Sequence, residues 1–573
     1  MESKPWLRHY DPHVPATLQP YPRKTLLDFV AETVRERPDH PFLLFKGTRL
    51  SYGQVDRLSD AFAAALEKRG IRRGDRVALL LPNCPQAVIC QLGAWKAGAI
   101  VLFLNPLYTE GELEPILRHM RPAAAVVLTP FYEKLKALQV ETGLRLVAAT
   151  NIKEYLPPSL RLLFTLFREK KEGHRIALRN GDCWLPALLR EHAGARRPDV
   201  AVACEDPALL LCTGGTTGAP KAAVQSHHAL VIAGLQIHTW ARVSLPQWTA
   251  VVILAMPLFH TYGNTGALST VIVCRGTASL VPNARDIDDL VDTVRKVRPT
   301  TLPGIPTLFT ALLEHPKVKK GKVDLRSIKA CTSGAAPLMV ETKRRFEAQT
   351  GGKLVEGYAL TESAMALVAN PVGGLNKPGS IGIPVTDVDV RIVDADVGGR
   401  ELAVGQVGEV VMQAPNLMLG YWDAPEETAH VLRDGWLYTG DLGYMDEDGY
   451  VFIVDRKKDV IKPSGFQVWP REVEETIASH PAVLEVAVAG IPDARQSEAV
   501  KAWVVLKKGA TADSREIRAF CHERLVAYKV PRQVEFRDTL PKTMIGKVMR
   551  RALREEEISR GAQGPGPKPE PEP

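Results

Sequence analysis

The 573-residue sequence contains no CxxC pair among its eight cysteines, and most of these cysteines lie in apolar runs. This pattern argues against a zinc-finger site and favours reduced thiols over a disulfide framework. No block rich in lysine and arginine occurs. The net charge of +8 is spread over 73 basic and 65 acidic residues, too dilute for a nucleic-acid partner. We therefore expect a reduced, cytoplasmic protein without a nucleic-acid partner.

Long hydrophobic runs are also scarce. The segment Met1–Trp6 has no apolar core of the kind that secretory signals require. Residues 87–104 form the best transmembrane candidate, but Gln91, Lys96 and two glycines interrupt it, which predicts an amphipathic helix followed by a buried strand. No internal repeat is visible. Peripheral contact with the inner face of the membrane and homodimerisation stay open.

The length of the chain predicts more than one domain. From residue 25 to about 450, helical patterns such as 61–67 and 86–96 alternate with apolar strand-like runs such as 76–81 and 99–104. This alternation is typical of a layered α/β domain with largely parallel, buried strands.

The pattern of apolar and polar residues changes near residue 384. The runs 388–393 and 408–412 alternate apolar and polar residues, which predicts a small antiparallel sheet. The charged run 455–459 then predicts a hinge. We therefore predict an N-terminal domain over 1–455, a smaller mobile α+β domain over 456–557, and a disordered tail over 558–573.

A glycine- and threonine-rich segment follows the strand-like run 208–212. It reads Thr213-Gly214-Gly215-Thr216-Thr217-Gly218-Ala219-Pro220-Lys221. Its glycines let backbone N–H groups approach an anion, and its hydroxyls and lysine add donors and charge, which suits a polyphosphate. It is not the common P-loop, because Ala219-Pro220 separate the last glycine from the lysine and Ala222 follows. A plain surface loop is the alternative.

This segment resembles the phosphate loop of the adenylate-forming enzymes, which include acyl-CoA synthetases, luciferases and peptide-synthetase adenylation domains. Further segments similar to motifs of that family occur in the family's order, at 257–263, 333–337, 356–362, 436–441, 455–466, 470–474 and 540–547. Segments 93–99 and 105–110 look like its fatty-acid branch. The resemblance covers about residues 25–555. Departures are Cys212 in place of tyrosine, and Ala222 and Ala359 in place of glycine; the last adds a methyl near the acyl entrance.

The resemblance implies ATP, Mg²⁺ and coenzyme A, with a role for each matching residue. Those expected around the nucleotide are Thr213, Gly214, Gly215, Thr216, Thr217, Gly218, Lys221, Gly334, Ala335, Ala336, Gly357, Tyr358, Asp441 and Arg456. The expected metal ligands are Thr217 and Glu362. Thr361 is expected at a phosphate, His260 at the substrate carboxylate and Lys547 at the reacting α-phosphate. Lys458 matches the hinge, and Lys462 and Gly465 match the coenzyme A tunnel.

Taken one at a time, these residues have simpler interpretations. Glu362 could be a surface residue in a strand-to-helix turn, and Thr439-Gly440-Asp441 could be an ordinary turn. The run 455–459 could be a solvated linker, and a histidine such as His260 is more often structural. A buried carboxylate, however, needs a counter-charge, which Mg²⁺ on ATP phosphates would supply.

The reaction implied is ATP-dependent activation of a medium- or long-chain fatty acid. An acyl-adenylate and pyrophosphate form first, then acyl-CoA and AMP. Residues 257–263 offer no acidic partner for the ammonium of an amino acid, which favours a fatty acid. Two alternatives stay open: a fatty acyl-AMP ligase that passes the acyl group to a carrier protein, and a non-catalytic acyl-binding scaffold.

Residues 159–171 predict an amphipathic helix capped by Ser159, with Leu160, Leu163, Phe164 and Phe167 in one apolar stripe. The flanking basic residues are Arg161, Arg168, Lys170 and Lys171. Such a helix either packs on the domain's own core or lies in a membrane interface.

Overall fold

The computed structural model describes residues 4–213, 221–463, 468–493, 497–542 and 548–562. Its α-helices are α1 (Leu26–Glu36), α2 (Tyr52–Lys68), α3 (Pro85–Lys96), α4 (Glu110–Met120), α5 (Tyr132–Thr142), α6 (Pro158–Phe167), α7 (Leu185–Glu191), α8 (His227–Trp240), α9 (Ser269–Val273), α10 (Ile287–Val297), α11 (Pro306–Glu314), α12 (Pro316–Lys319), α13 (Val340–Thr350), α14 (Pro425–Val431), α15 (Pro470–Ala478), α16 (Ser514–His522) and α17 (Arg550–Ala562).

Its strands are β1 (Pro41–Phe45), β2 (Thr48–Ser51), β3 (Arg76–Leu80), β4 (Ile100–Phe103), β5 (Ala124–Leu128), β6 (Leu146–Thr150), β7 (Cys183–Trp184), β8 (Pro207–Cys212), β9 (Ala222–Ser226), β10 (Val251–Leu254), β11 (Thr277–Leu280), β12 (Ala330–Ser333), β13 (Lys353–Tyr358), β14 (Val368–Ala369), β15 (Ile383–Pro384), β16 (Asp389–Val393), β17 (Gly408–Gln413), β18 (Gly420–Tyr421), β19 (Leu432–Arg433), β20 (Trp436–Met445), β21 (Val451–Arg456), β22 (Val483–Asp493), β23 (Ser497–Leu506) and β24 (Gln533–Phe536).

The largest sheet explains the continuous apolar runs of the sequence. Its eight strands have the order β18-β9-β8-β4-β3-β5-β6-β7, and the six strands from β8 to β7 are parallel to one another. Along β3, Val77 and Leu79 enter one apolar core while Ala78 and Leu80 enter another. Because both faces are covered, every residue of such a strand can be apolar. The predicted layered α/β architecture is confirmed.

Two compact units divide the chain. The first contains the residues up to Val390 together with Met412–Leu437, and the second contains Arg391–Val411 together with the residues from Tyr438 onward. The first unit holds the eight-stranded sheet and two four-stranded sheets, ordered β10-β11-β1-β2 and β12-β13-β14-β15. The 455/456 domain boundary stays a prediction.

In the second unit, β17 lies between β16 and β20, and β21 pairs antiparallel with β20. A separate three-stranded sheet has the order β22-β23-β24, with β22 and β23 antiparallel and β24 parallel to β23. Its two faces bury different side chains: Val488 and Val504 belong to one apolar cluster, Ala487 and Trp503 to the other.

Helix α17 continues five residues into the predicted tail. Ion pairs one turn apart, such as Arg551–Glu555 and Arg560–Glu556, stabilise its surface, so that 558–562 are helical rather than disordered. The remainder of the predicted tail, 563–573, lies outside the described residues.

The candidate transmembrane segment 87–104 forms α3 followed by the buried strand β4, as predicted. The expectation that the helix is amphipathic is wrong: every residue of α3 is buried, and the ammonium of Lys96 is paired with Asp56 and Asp60. Among the described residues, no helix is long and apolar enough to cross a bilayer.

The helix predicted from Ser159 differs from expectation at both ends. It begins at Pro158, with Pro157 as its uncapped N-terminal neighbour, because proline is already set for the first helical position. It ends at Phe167, and turns follow.

Candidate active site

Tyr421 brings two predicted site residues together in the first unit. Its hydroxyl donates to Oε1 of Glu362 at 2.8 Å, and the Nζ of Lys221 lies 5.5 Å from the centre of its ring. The ammonium of Lys221 is also 3.7 Å from Glu427. Strand β18 pairs antiparallel with β9, and this pairing sets Tyr421 opposite Ala223. The arrangement places a cation over the ring of Tyr421 and a carboxylate at its hydroxyl.

The predicted phosphate loop connects two paired strands. Strands β8 and β9 are antiparallel, Cys212 faces Ala222, and the N–H of Thr213 donates to the carbonyl of Lys221 at 2.9 Å. The predicted residues Gly214, Gly215, Thr216, Thr217 and Gly218 lie outside the described residues. Burial raises the pKa of Cys212, which replaces the family's tyrosine, to about 12, so that its thiol stays protonated.

Thr361 and Glu362 follow β13, in a turn rather than a helix. The buried Gln225 of β9 fixes this turn: its Nε2 donates to the carbonyl of Thr361 at 3.0 Å and to the hydroxyl of Thr261 at 3.3 Å. Its Oε1 accepts from the hydroxyl of Thr265 at 2.5 Å. Gln225 therefore links the turn to the segment that contains His260.

The carboxylate of Glu362 has room for a further ligand. Tyr421 occupies Oε1, and no described residue hydrogen-bonds Oε2. Carboxylate oxygens suit Mg²⁺, which is typically held by one or two carboxylates, water and substrate phosphates. Within the described part of the chain, no cluster of three or more His, Cys, Asp or Glu side chains could hold a metal ion. Glu362 thus fits a Mg²⁺ that depends on bound phosphates.

The turn predicted to pack on adenine has a constrained backbone. Gly334 donates its N–H to the carbonyl of Gly304 at 3.0 Å, and Ala335 has a φ of +68°, which is rare for a residue with a Cβ. A Cβ at Gly357 would lie 2.9 Å from Thr332, so the neighbouring strand requires glycine there. Ala336 is exposed, and Tyr358 is half-buried at the end of β13.

His260 is neutral at physiological pH. Its enclosed surroundings lower its pKa to about 4, since burial disfavours the charged ring. Nδ1 accepts from the N–H of Tyr262 at 3.2 Å, so the proton is on Nε2. A neutral imidazole with its N–H free to donate can hydrogen-bond a carboxylate oxygen without forming an ion pair.

An apolar cavity joins these elements. His260, Gly334, Ala335, Gly357 and Ala359 are among the residues that line it. The other described lining residues are uncharged: Ile237, Ala241, Ser244, Leu245, Val252, Thr261, Tyr262, Gly266, Ala267, Thr270, Thr301, Pro303, Ala330, Cys331, Thr332, Val355, Met365, Leu367 and Val372. The predicted carboxylate residue and the predicted adenine turn thus open on the same apolar space.

In the second unit, Asp441 and Arg456 are cross-strand partners on β20 and β21. The Nε of Arg456 lies 3.4 Å from Oδ1 of Asp441, whose side chain is buried. Neighbouring strands thereby join two residues that the sequence places fifteen positions apart. Asp441 is held by a strand pair and does not sit in the ordinary turn that the bare triplet allowed.

The predicted hinge residue Lys458 and its neighbour Lys457 lie in the short helix Lys457–Asp459, and both are exposed. The ammonium of Lys457 pairs with Glu409 at 3.0 Å. Lys462 is exposed as well, and its N–H donates to Glu498 at 2.9 Å. Gly465 and Lys547 lie outside the described residues. Their roles, like those of the other predicted site residues, stay predictions.

Two residues of this site had no signal in the sequence. Tyr421 and Gln225 belong to no motif, and their contacts depend on the pairing of β9 with β18 and on the position of the segment after β13. The one hint was a glutamine that directly follows the apolar Ala222-Ala223-Val224, because a buried amide needs hydrogen-bond partners.

Comparison with known proteins gives consistent matches over nearly the whole chain. The sequence model of the AMP-binding enzyme family matches residues 30–422, and that of the AMP-binding enzyme C-terminal domain matches 472–547. The long-chain-fatty-acid–CoA ligase of Bacillus subtilis (strain 168) is 41% identical over 561 residues, covering 97% of this chain and 98% of that protein.

A second ligase of the same description, from Yersinia pestis, is 37% identical over 566 residues, covering 98% of this chain and 99% of that protein. Among solved structures, ATP-bound MatB from Rhodopseudomonas palustris superposes with a TM-score of 0.79 at 31% identity, covering 92% of this chain and 98% of that one.

Proposed function

The chain belongs to the AMP-binding enzyme family, and we propose that it is an AMP-forming fatty-acid–CoA ligase. It uses ATP to convert a fatty acid into an acyl-adenylate and then into acyl-CoA. The observation that carries this assignment is the uncharged, apolar cavity that begins beside His260 and the Gly334–Ala335 turn. A chain of methylenes suits such a cavity, whereas an amino acid would need a buried acidic partner for its ammonium.

In the first half-reaction, a carboxylate oxygen of the fatty acid attacks the α-phosphorus of ATP, and the bond to pyrophosphate breaks. The neutral His260 donates its Nε2 proton to the carboxylate as a hydrogen bond and orients it. Lys221 and the loop that it closes hold the phosphates. Catalysis of this kind depends on positioning and charge neutralisation more than on acid–base chemistry.

Mg²⁺ belongs to the proposal because Glu362 presents a carboxylate oxygen that no described residue hydrogen-bonds. Glu362 would hold the ion, with Thr217 as the second proposed ligand. When bound, Mg²⁺ neutralises charge on the phosphates. Tyr421 orients Glu362 from the opposite side.

In the second half-reaction, the coenzyme A thiol attacks the acyl carbonyl, and the bond to AMP breaks. We propose that Lys547 serves the first step, that rotation about Lys458 removes it, and that Lys462 and Gly465 border the pantetheine path. Asp441 and Arg456 would bind the ribose and α-phosphate.

Medium- to long-chain acids are the proposed substrates, supported by the apolar lining and by the relatives described as long-chain-fatty-acid–CoA ligases. The carrier-protein ligase and the non-catalytic scaffold are not favoured, because relatives matched over nearly their whole lengths are CoA ligases. Cytoplasmic localisation and homodimerisation stay predictions.

The test is pyrophosphate release across acetate, octanoate, palmitate and benzoate, each with and without coenzyme A. We expect release with octanoate and palmitate, and thioester only when coenzyme A is present. A preference for acetate or benzoate would overturn the substrate class, and no release with any acid would restore the scaffold alternative.

Two variants separate the half-reactions. Lys547→Ala should reduce pyrophosphate release by about a hundredfold, the effect of losing one preorganised charge, and spare thioester formation from supplied acyl-adenylate. Gly465→Leu should block thioester formation and leave pyrophosphate release largely intact. Lys542→Ala is the control for the first, since the ammonium of Lys542 pairs with Glu485 at 2.6 Å. Equal loss of both steps in either variant would contradict the assigned roles.

A further inference from the structure

Helix α6 exposes most of its apolar side chains. The exposed fractions are 43% for Leu160, 60% for Leu162, 50% for Leu163, 65% for Leu166 and 71% for Phe167. At about 100° per residue these five cover an arc of about 160° around the helix axis. We call them the α6 apolar face. An amphipathic helix normally turns such an arc toward the protein core, so this one lacks its usual cover.

The opposite side of α6 fixes the helix to the protein. Phe164 is 8% exposed, and its ring meets that of His174 edge-on at 5.2 Å. The hydroxyl of Thr165 accepts from Lys153 at 3.3 Å, and Lys153 pairs with Glu169 at 2.6 Å. Phe164 therefore lies at the buried edge of the stripe predicted for it, whereas Leu160, Leu163 and Phe167 of the same stripe are exposed. These contacts hold the helix by one side, and the α6 apolar face on the other side stays exposed.

In the helix and the turn that follows it, the exposed charges that have no ion pair with a described residue are all positive. The helix itself carries no acidic residue. In the turn that follows, Glu169 is buried against Lys153, and Glu172 pairs with Arg168 at 2.5 Å. Lys170 and Lys171 are exposed, and neither has an ion pair with a described residue.

One predicted flanking cation does not belong to this group. Arg161 lies on the side of the helix opposite the α6 apolar face, where it acts electrostatically on Glu154. The cations available to a partner that covers the face are therefore Lys170 and Lys171.

We propose that the α6 apolar face lies in the surface of an anionic lipid bilayer, with Lys170 and Lys171 against the headgroups. Leucine and phenylalanine side chains at this arc would enter the acyl boundary, and phosphate groups would supply the missing negative charge. A second copy of the chain would bring like-charged lysines to the same contact, which disfavours a symmetric dimer there. The inference rests on the proposed function in one respect: a long-chain fatty acid partitions into bilayers, so contact with a bilayer brings the enzyme to its substrate.

The test is flotation of the full-length protein with two vesicle preparations. One is pure phosphatidylcholine; the other contains about a third phosphatidylglycerol, enough to give the surface a negative potential. We expect wild type to bind the anionic vesicles, and Leu166→Asp/Phe167→Asp to bind at least about tenfold more weakly, since two exposed apolar anchors become charges. Val397→Asp/Val404→Asp is the matched control, because these valines are 79% and 60% exposed elsewhere on the chain.

A second variant keeps the test independent of folding. Lys170→Glu/Lys171→Glu leaves the apolar face intact and should weaken binding to the anionic vesicles alone, with the difference disappearing at high salt. Thermal midpoints of all variants should equal that of wild type, because the altered side chains are exposed.

The proposal is overturned if wild type does not float, or if the α6 variants float as well as wild type. It is also overturned if wild type is a dimer that Leu166→Asp/Phe167→Asp dissociates without any vesicle binding. A fall in the thermal midpoint of that variant, with unchanged flotation of the lysine variant, would mean that the face packs within the protein.

Activity distinguishes this proposal from the function itself. The α6 variants should convert dissolved octanoate at the wild-type rate and vesicle-borne palmitate several-fold more slowly. If no variant, wild type included, releases pyrophosphate with any acid, the proposed function fails, while the flotation result still decides the membrane contact.

Discussion

At the scale of single residues, Tyr421 couples the predicted phosphate lysine to the predicted metal carboxylate. Its ring lies beneath Lys221 and its hydroxyl donates to Glu362. Burial, and then the charge of Glu362, raise the pKa of Tyr421 well above its ordinary value, so the hydroxyl keeps its proton and stays a donor. This hydrogen bond holds the side chain of Glu362 in one orientation.

Tyr421→Phe keeps the ring under Lys221 and removes the donor. A hydrogen bond to a charged group contributes about 1.5–3 kcal/mol, so we expect pyrophosphate release to fall by roughly tenfold or more and the Mg²⁺ concentration for half-maximal rate to rise. Tyr444→Phe, at a ring stacked on Phe452 in the second unit, is the control. An unchanged Mg²⁺ dependence in Tyr421→Phe would refute the coupling.

Gly266 lines the apolar cavity. It lies in the π-helix Tyr262–Leu268, and a Cβ there would lie 3.0 Å from the terminal methyl of Met365. Because that methyl is the end of a flexible chain, a larger residue fits by displacing it and then fills the cavity. Glycine at this position keeps the space open.

Gly266→Leu should therefore select against long chains. Losing burial of about two methylenes costs about 1.6 kcal/mol, so kcat/KM for palmitate should fall by at least tenfold while that for octanoate changes little. The kcat/KM of Gly266→Ala for palmitate should lie between those of wild type and Gly266→Leu. Gly111→Leu, at an exposed helical position with open space around it, tests for unspecific effects. Equal losses for both acids would place Gly266 outside the acyl path.

At the scale of secondary-structure elements, Arg550 fastens the start of α17 within the second unit. Its guanidinium lies 2.5 Å from Glu474 of α15, 3.0 Å from Asp455 of β21 and 3.4 Å from Asp459. Asp455 is buried and also accepts from the N–H groups of Arg456 and Arg471. The charged run 455–459 is thus partly a buried ion cluster and not the solvated linker that was the alternative to a hinge.

Arg550→Ala should destabilise the protein by about 3–5 kcal/mol, because removing one partner leaves buried carboxylates without a counter-charge. Arg551→Ala is the matched control. Arg551 is exposed and pairs with Glu555 one turn away, so its loss should cost less than about 1 kcal/mol. Chemical denaturation with a probe in the second unit measures both, and similar values would show that the cluster contributes little.

At the scale of the whole molecule, two histidines make stability depend on pH. Burial lowers the pKa of His227 and of His260 to about 4, against 6.5 for a free side chain. Both are neutral when folded, so between about pH 6.5 and 4 the unfolded chain binds more protons. The stability that they contribute is complete above pH 6.5 and is lost as the pH falls toward 4.

His227→Gln should reduce this acid sensitivity without involving the active site. We expect the fall in the free energy of unfolding between about pH 7 and 4.5 to be smaller by 2–3 kcal/mol than in wild type. His430→Gln, at an exposed position, should leave the slope unchanged. A slope that stays at the wild-type value in His227→Gln would show that this ring is hydrated when folded.

Sequence patterns were enough to predict the layered α/β fold, several of its strands and the order of the site motifs. Strands β3, β4 and β8 lie within one residue of their predicted bounds, because continuous apolar runs between turn residues allow few other structures. The helix–strand pair at 87–104 followed from the same local chemistry. Local propensity and periodicity depend only on residues that are neighbours in the sequence, so a single sequence is enough to recognise them.

The tertiary structure alone decided which distant residues meet and which faces stay exposed. The contacts of Tyr421 with Glu362, of Gln225 with Thr361 and of Asp441 with Arg456 depend on strand pairing and long-range packing, which no local pattern encodes. The side of α6 that faces inward was likewise set by Phe164 and the Lys153–Glu169 pair. A helical stripe fixes which residues share a face, whereas the packing of the rest of the chain determines whether that face is covered.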